Sequence, residues 1–179
     1  MTAKTMKIFV FILSVSVLLR GATEAPHIKA ATVAYEDGKA AQHEKNLQGA
    51  VNSFRKAIDV EPTFMEARLA LIGVHLESGH RLEAAAAITQ LLEIDPDAAH
   101  YRIVLGQILL EQKQPERALA QFSFILKTDP YNADALLGFA SAAKQTGMEG
   151  RASAALELGR KHYPLDDRFT TVPSALKHD

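Results

Sequence analysis

The sequence predicts an all-α fold, a solenoid of four helix-turn-helix units of about 34 residues each over positions 31–164. Three observations predict it. Pro62, Pro96, Pro130 and Pro164 are evenly spaced by one such unit, and Ala50, Ala84, Ala118 and Ala152 keep the same step. A third series, Phe54, Ile88, Phe122 and Leu156, repeats at that interval with only apolar members. Three positions sharing one period across four copies mark an internal repeat, and the repeat governs how every other feature is read.

Residues 1–25 precede the repeats. Lys4 and Lys7 lead into an uncharged apolar run from Ile8 to Leu19, followed by Arg20-Gly21-Ala22-Thr23-Glu24-Ala25. A positive start, a short apolar stretch and small residues after it form a secretory signal pattern. Twelve helical residues reach about 18 Å, short of the roughly 30 Å of a bilayer core. The pattern therefore predicts export to the periplasm or the medium, the alternative being an uncleaved anchor at residues 8–19. Thr23-Glu24-Ala25 offers small residues for cleavage but puts Pro26 after the cut, so cleavage after Thr23 or Ala30 stays open. Removing residues 1–25 takes three of 20 basic and one of 21 acidic residues, leaving a net charge of −3. A linker, 26–30, then joins the leader to the repeats.

The repeats divide as 31–64, 65–98, 99–132 and 133–164. Each holds two helices. Glu66–Ser78 carries apolar residues at i, i+3 and i+4 spacing and exemplifies the first; Leu82–Ile94 exemplifies the second. Gly79 and Gly147 end the first helix in two repeats, where a left-handed residue is wanted. Pro115 opens the second helix of repeat three, where a missing N–H costs nothing. Asp-Pro or Glu-Pro closes second helices, because proline cannot continue a helix. The periodic alanines let paired helices approach, and the large residue four later fills the space between neighbouring pairs. Gly38, Gly106 and Ala140 serve similarly on first helices, whereas Ile72 at the matching place predicts a looser or tilted pair. Terminal repeats need a cap, and the tail 165–179 supplies Phe169, Val172, Ala175 and Leu176 to fold back, with Pro173 opening a last turn.

These residues make the chain resemble the tetratricopeptide repeat (TPR) family. Repeat one carries Gly38, Ala50, Phe54, Ala57 and Pro62; repeat two carries Leu71, Ala84 and Pro96. Repeat three carries Leu105, Gly106, Ala118, Phe122 and Pro130; repeat four carries Phe139, Ala140, Gly147, Ala152 and Pro164. The family's Trp-like place holds Ala34, Arg68, Arg102 and Leu136 instead, which predicts thinner interhelix contacts there, and its Tyr place holds Ala41, His75, Leu109 and Ala143. The resemblance implies a right-handed solenoid whose first helices line a concave groove that binds a peptide or helix. The groove residues it implies are Tyr35, Lys39, Leu69, Leu76, His100, Ile103, Gln107, Leu110, Leu137 and Lys144. Six of them form an apolar ladder, flanked by Glu66, Glu77, Glu111 and Asp134, matching a ligand with apolar anchors and basic flanks. The competing reading is that some, Leu76 and Leu110 first, only pack between adjacent helices. Of the side chains with which chaperone adaptors of this family grip a C-terminal carboxylate, only Lys39 is present, so that activity is not expected.

Composition excludes other classes. With 20 basic and 21 acidic residues the chain is not a general nucleic-acid binder, and with no Cys it has no thiol nucleophile, disulfide or Cys-linked lipid. His43-Glu44 begins like a zinc-protease helix, but Leu47 stands where the second ligand belongs, and the seven His residues show no metal spacing. Asp95/Asp97 and Asp166/Asp167 lie at turns with nothing forcing them into a pocket. No enzymatic activity, metal or cofactor is expected. The reading is an exported, non-catalytic interaction adaptor, the alternative a self-assembling envelope scaffold whose uncapped end and apolar groove pair with a second copy.

Overall fold

The computed structural model describes residues 26–170, so the leader and the positions from 171 onward, Val172, Pro173, Ala175 and Leu176 among them, lie outside the described residues. Every regular element within them is helical: α1 (Pro26–His43), α2 (Leu47–Val60), α3 (Met65–Glu77), α4 (Arg81–Ile94), α5 (Ala99–Glu111), α6 (Pro115–Thr128), α7 (Ala133–Gln145), α8 (Glu149–His162) and α9 (Asp167–Thr170). These are the first and second helices of four repeats plus one short turn. Residues 26–30, expected as a linker, are instead the opening turn and more of α1. The chain divides into two compact units after His80, inside repeat two.

In the first unit, α1 packs on α2 and α2 on α3. The periodic Ala50 and the Phe54 four residues later are both sealed from solvent, with Val51, Leu71 and Val74 around them. A second cluster joins Ala34, Ala57 and Ala67. Gly38 is required by close approach, since a Cβ there would stand 2.5 Å from Cε1 of Phe54. Burying such a ring is worth about 3 kcal/mol at most, and the missing Cβ is what admits it. Ile72, at the matching place in repeat two, is itself buried.

In the second unit, α5 packs on α4 and α6, α7 on α6 and α8, and α5 also touches α7. Ala84, Ala118 and Ala152 are buried as Ala50 is, and so are Ile88 and Phe122. Gly106 repeats the arrangement of Gly38, its absent Cβ leaving room 2.5 Å from the Phe122 ring. Leu156, last of that series, is half-buried. The prolines 62, 96, 130 and 164 are all exposed, acting through backbone geometry at the turns.

The turns between first and second helices share one backbone device. Gly79 and Gly147 take φ of +71° and +73°, as the sequence predicts. Lys45 and Lys113 take the same left-handed conformation, φ +62° and +59°, at the matching positions of repeats one and three. Asn46 and Asn132 cap α2 and α7 by accepting hydrogen bonds from the amides of Gly49 and Ala135, each at 3.0 Å.

The period runs past Pro164. Asp167–Thr170 lies one period after the opening of α7, and Asp166 stands where Asn132 caps that helix. The Asp166 carboxylate accepts from the Arg168 amide at 3.0 Å. Phe169 is fully buried, its ring over Gly159 and stacked 5.8 Å from Tyr163. Arg160 Nε donates to the Phe169 carbonyl at 2.8 Å, and Arg168 Nη1 to Asp134 at 2.6 Å. The first turn of a fifth repeat thus covers part of α8, and the expected fold-back of Phe169 takes this form.

Candidate interaction surface

The residues expected to line a groove sit on first helices, in both units. In the first unit Tyr35 and Lys39 lie on α1, Leu69 and Leu76 on α3. Tyr35 is half-buried, its ring 5.7 Å from Phe54 and 5.2 Å from Phe64, so it is shared between surface and packing. Lys39 is exposed, holds Glu36 at 3.0 Å and stands 5.4 Å over the Tyr35 ring. That hydrogen-bonded carboxylate raises its pKa. Lys39 therefore has a carboxylate already. Leu69 and Leu76 are half-buried.

In the second unit Ile103, Gln107 and Leu110 follow one face of α5, and Leu137 and Lys144 one face of the adjoining α7, by helical spacing. Ile103, Leu110 and Leu137 are half-buried; Gln107, Lys144 and His100 are exposed. His100 meets Tyr101 edge-on at 5.3 Å. None of the six apolar ladder residues is sealed, whereas Leu71 and Ile72 on α3 and Leu105, Ile108 and Leu109 on α5 are.

The acidic flank differs from expectation. Glu77 accepts from Gln42 at 3.0 Å and from Lys45 at 3.2 Å, which together hold its carboxyl below the usual range. Glu111 lies 3.6 Å from Arg81, and Asp134 is taken by Arg168. Three of the four acids are paired within their own unit. These pairs carry no local sequence signal, because their partners stand about a repeat away in the chain. The Asp134–Arg168 pair was findable, since Arg168 falls one full period after Asp134.

The Trp-like place also differs from expectation. Its contacts are not thin at Arg68 and Arg102. Arg68 donates twice to the Pro62 carbonyl, at 2.9 and 2.7 Å. Arg102 donates to the Pro96 carbonyl at 2.8 Å and to Gln121 at 2.9 Å, with its guanidinium 3.7 Å from the Phe124 ring. Burial lowers the Arg102 pKa. A guanidinium on an aliphatic stem does there what a large ring would do. Among the described residues no helix is long and apolar enough to cross a membrane.

A family model described as tetratricopeptide repeat matches residues 41–108 and 109–172. Cellulose synthase operon protein C of Pseudomonas fluorescens (strain SBW25) is 31% identical over 149 residues, covering 79% of this chain but only 12% of that protein. Among solved structures, MamA is similar with a TM-score of 0.67 at 18% identity, covering 76% of this chain and 74% of that one. YrrB, described as a TPR protein with an unusual peptide-binding site, is similar with a TM-score of 0.66 at 20% identity, covering 79% and 73%. At these identities the structural likeness speaks for the fold.

Proposed function

Because the chain belongs to the tetratricopeptide repeat family, we propose that it is a non-catalytic adaptor whose first helices bind a peptide or helix through apolar anchors. The observation that carries this is the graded burial on α3 and α5. Leu69, Leu76, Ile103 and Leu110 stay half-open while their neighbours on the same helices are sealed. Residues kept neither in the core nor exchanged for polar ones are what a docking surface needs. Covering one such side chain gains about 1.5–3 kcal/mol, so several support micromolar binding after the costs of association. With Glu77, Glu111 and Asp134 already satisfied, the ligand is recognised by its apolar face more than by its charge.

The leader pattern at residues 1–25 supports export to the periplasm or the medium. Fractionation of cells producing the chain tests that, and a product confined to the cytoplasm would refute it. For the binding surface, Leu69→Asp combined with Ile103→Asp should abolish capture of the partners that the unaltered protein retains, with helicity unchanged by circular dichroism. Retention of the same partners by the double variant refutes the groove.

A further inference from the structure

Repeat four departs from its neighbours at one set of packed positions. In repeat three, Arg102, Gln121 and Phe124 form a linked trio, the guanidinium bonded to the amide oxygen and seated on the ring. One period later the same places hold Leu136, Ala155 and Leu158. All three are apolar and none reaches as far. An open cleft of about 340 Å³ is left between α6, α7 and α8, walled by Leu126, Leu136, Phe139 and Leu158. Arg151 also lines it, its guanidinium 5.0 Å over the Phe139 ring. Among the described residues Arg151 has no carboxylate partner; it donates only to the Met148 sulfur at 3.4 Å.

We propose that this cleft is a second docking site, taking one large apolar side chain from a partner polypeptide with an acidic residue beside it. The exchange of an Arg–Gln–Phe trio for a wholly aliphatic one fixes the anchor's chemistry. A basic anchor has lost both the acceptor of Gln121 and the ring of Phe124, and a polar one loses its hydration against four apolar walls. The unpaired Arg151 fixes the flank, because a neighbouring carboxylate gains a charge-assisted hydrogen bond and a basic residue is repelled. The volume suits a single anchor such as Leu or Phe, at the small end of ligand pockets. This site is independent of the apolar ladder on α3 and α5.

The test titrates the ¹⁵N-labelled full chain with the capped peptide acetyl-Glu-Leu-Phe-Glu-amide and its basic counterpart acetyl-Lys-Leu-Phe-Lys-amide. The acidic peptide should give saturable shifts at the amides of Arg151, Ala155 and Leu158, with the basic one about tenfold weaker. Leu136→Arg, which restores the side chain that repeat three uses, should remove the shifts. Arg151→Glu, on an exposed position, should reverse the preference without touching the core, and it carries the test if Leu136→Arg does not fold. Absence of saturable shifts, equal affinity for the two peptides, or a preference unchanged in Arg151→Glu would overturn the proposal. Loss of the shifts in Leu69→Asp would do the same by assigning them to the ladder.

Discussion

The pairing of Phe169 with Gly159 gives the sharpest prediction. Phe169 is fully buried, and a Cβ on Gly159 would fall inside the envelope of its ring. One period earlier the same two places hold Ile125 and Ala135, both buried. Large and small have changed sides. Truncation by Phe169→Ala should cost about 3 kcal/mol, the low end for a buried Phe because a four-residue helix at the margin can fray instead of leaving a void. Gly159→Ile alone should cost about 1–3 kcal/mol by overpacking, offset by about 0.5 kcal/mol because Gly is the poorer helix former. The double variant, recreating the Ile125/Ala135 arrangement, should recover about 2 kcal/mol relative to the sum of the singles. Urea unfolding of the four proteins at constant m-value reads this as a shift in midpoint. Strict additivity would refute the idea that residues 166–169 are a fifth repeat's opening packed in register.

Three further outcomes follow from local geometry. Lys113→Gly should stabilise the chain by up to about 1 kcal/mol by relieving a left-handed conformation, and Gly147→Ala should destabilise it by a similar amount; thermal midpoints check both. Gly106→Ala should cost about 1–3 kcal/mol because its Cβ meets Phe122, and Phe122→Leu in the same chain should return part of that in a urea titration. Arg168 hydrogen bonds hold the Asp166 carboxyl below its ordinary range. Its folded pKa is thus depressed, so the stabilisation is complete above about pH 4 and disappears as pH falls through the folded value. Asp166→Asn should flatten the acid-side fall of the thermal midpoint, and an unchanged fall would refute that assignment.

What could be read in advance was whatever recurs at the repeat period with a recognisable side chain. The buried alanines, the rings over Gly38 and Gly106, and the left-handed Gly79 and Gly147 all have that property. Lys45 and Lys113 adopt the same backbone as those glycines, but lysine carries no signature of positive φ, so the turn geometry imposes what the residue does not announce. Arg68 and Arg102 depart from the family's Trp-like residue in charge, but their stems and their donors to proline carbonyls do the packing. Of the candidate interaction surface, the apolar positions were legible but the state of the acids was not. Whether Glu77 or Asp134 is free depends on what another repeat places opposite, which helical spacing within one repeat does not contain.

The left-handed turns alternate Lys45, Gly79, Lys113, Gly147, and other places alternate with them. Gly38 and Gly106 lie under aromatic rings, while Ile72 and Ala140 hold that place in the repeats where Ile88 and Leu156 stand for the ring. Odd and even repeats are thus of two kinds in alternation, and in the odd ones the ring and the glycine that admits it belong to the same repeat. Excising one internal repeat would put two of the same kind side by side, an order the chain nowhere contains, whereas excising two consecutive repeats would leave the alternation intact. Internal shortening of this protein should therefore be tolerated in even steps and resisted in odd ones.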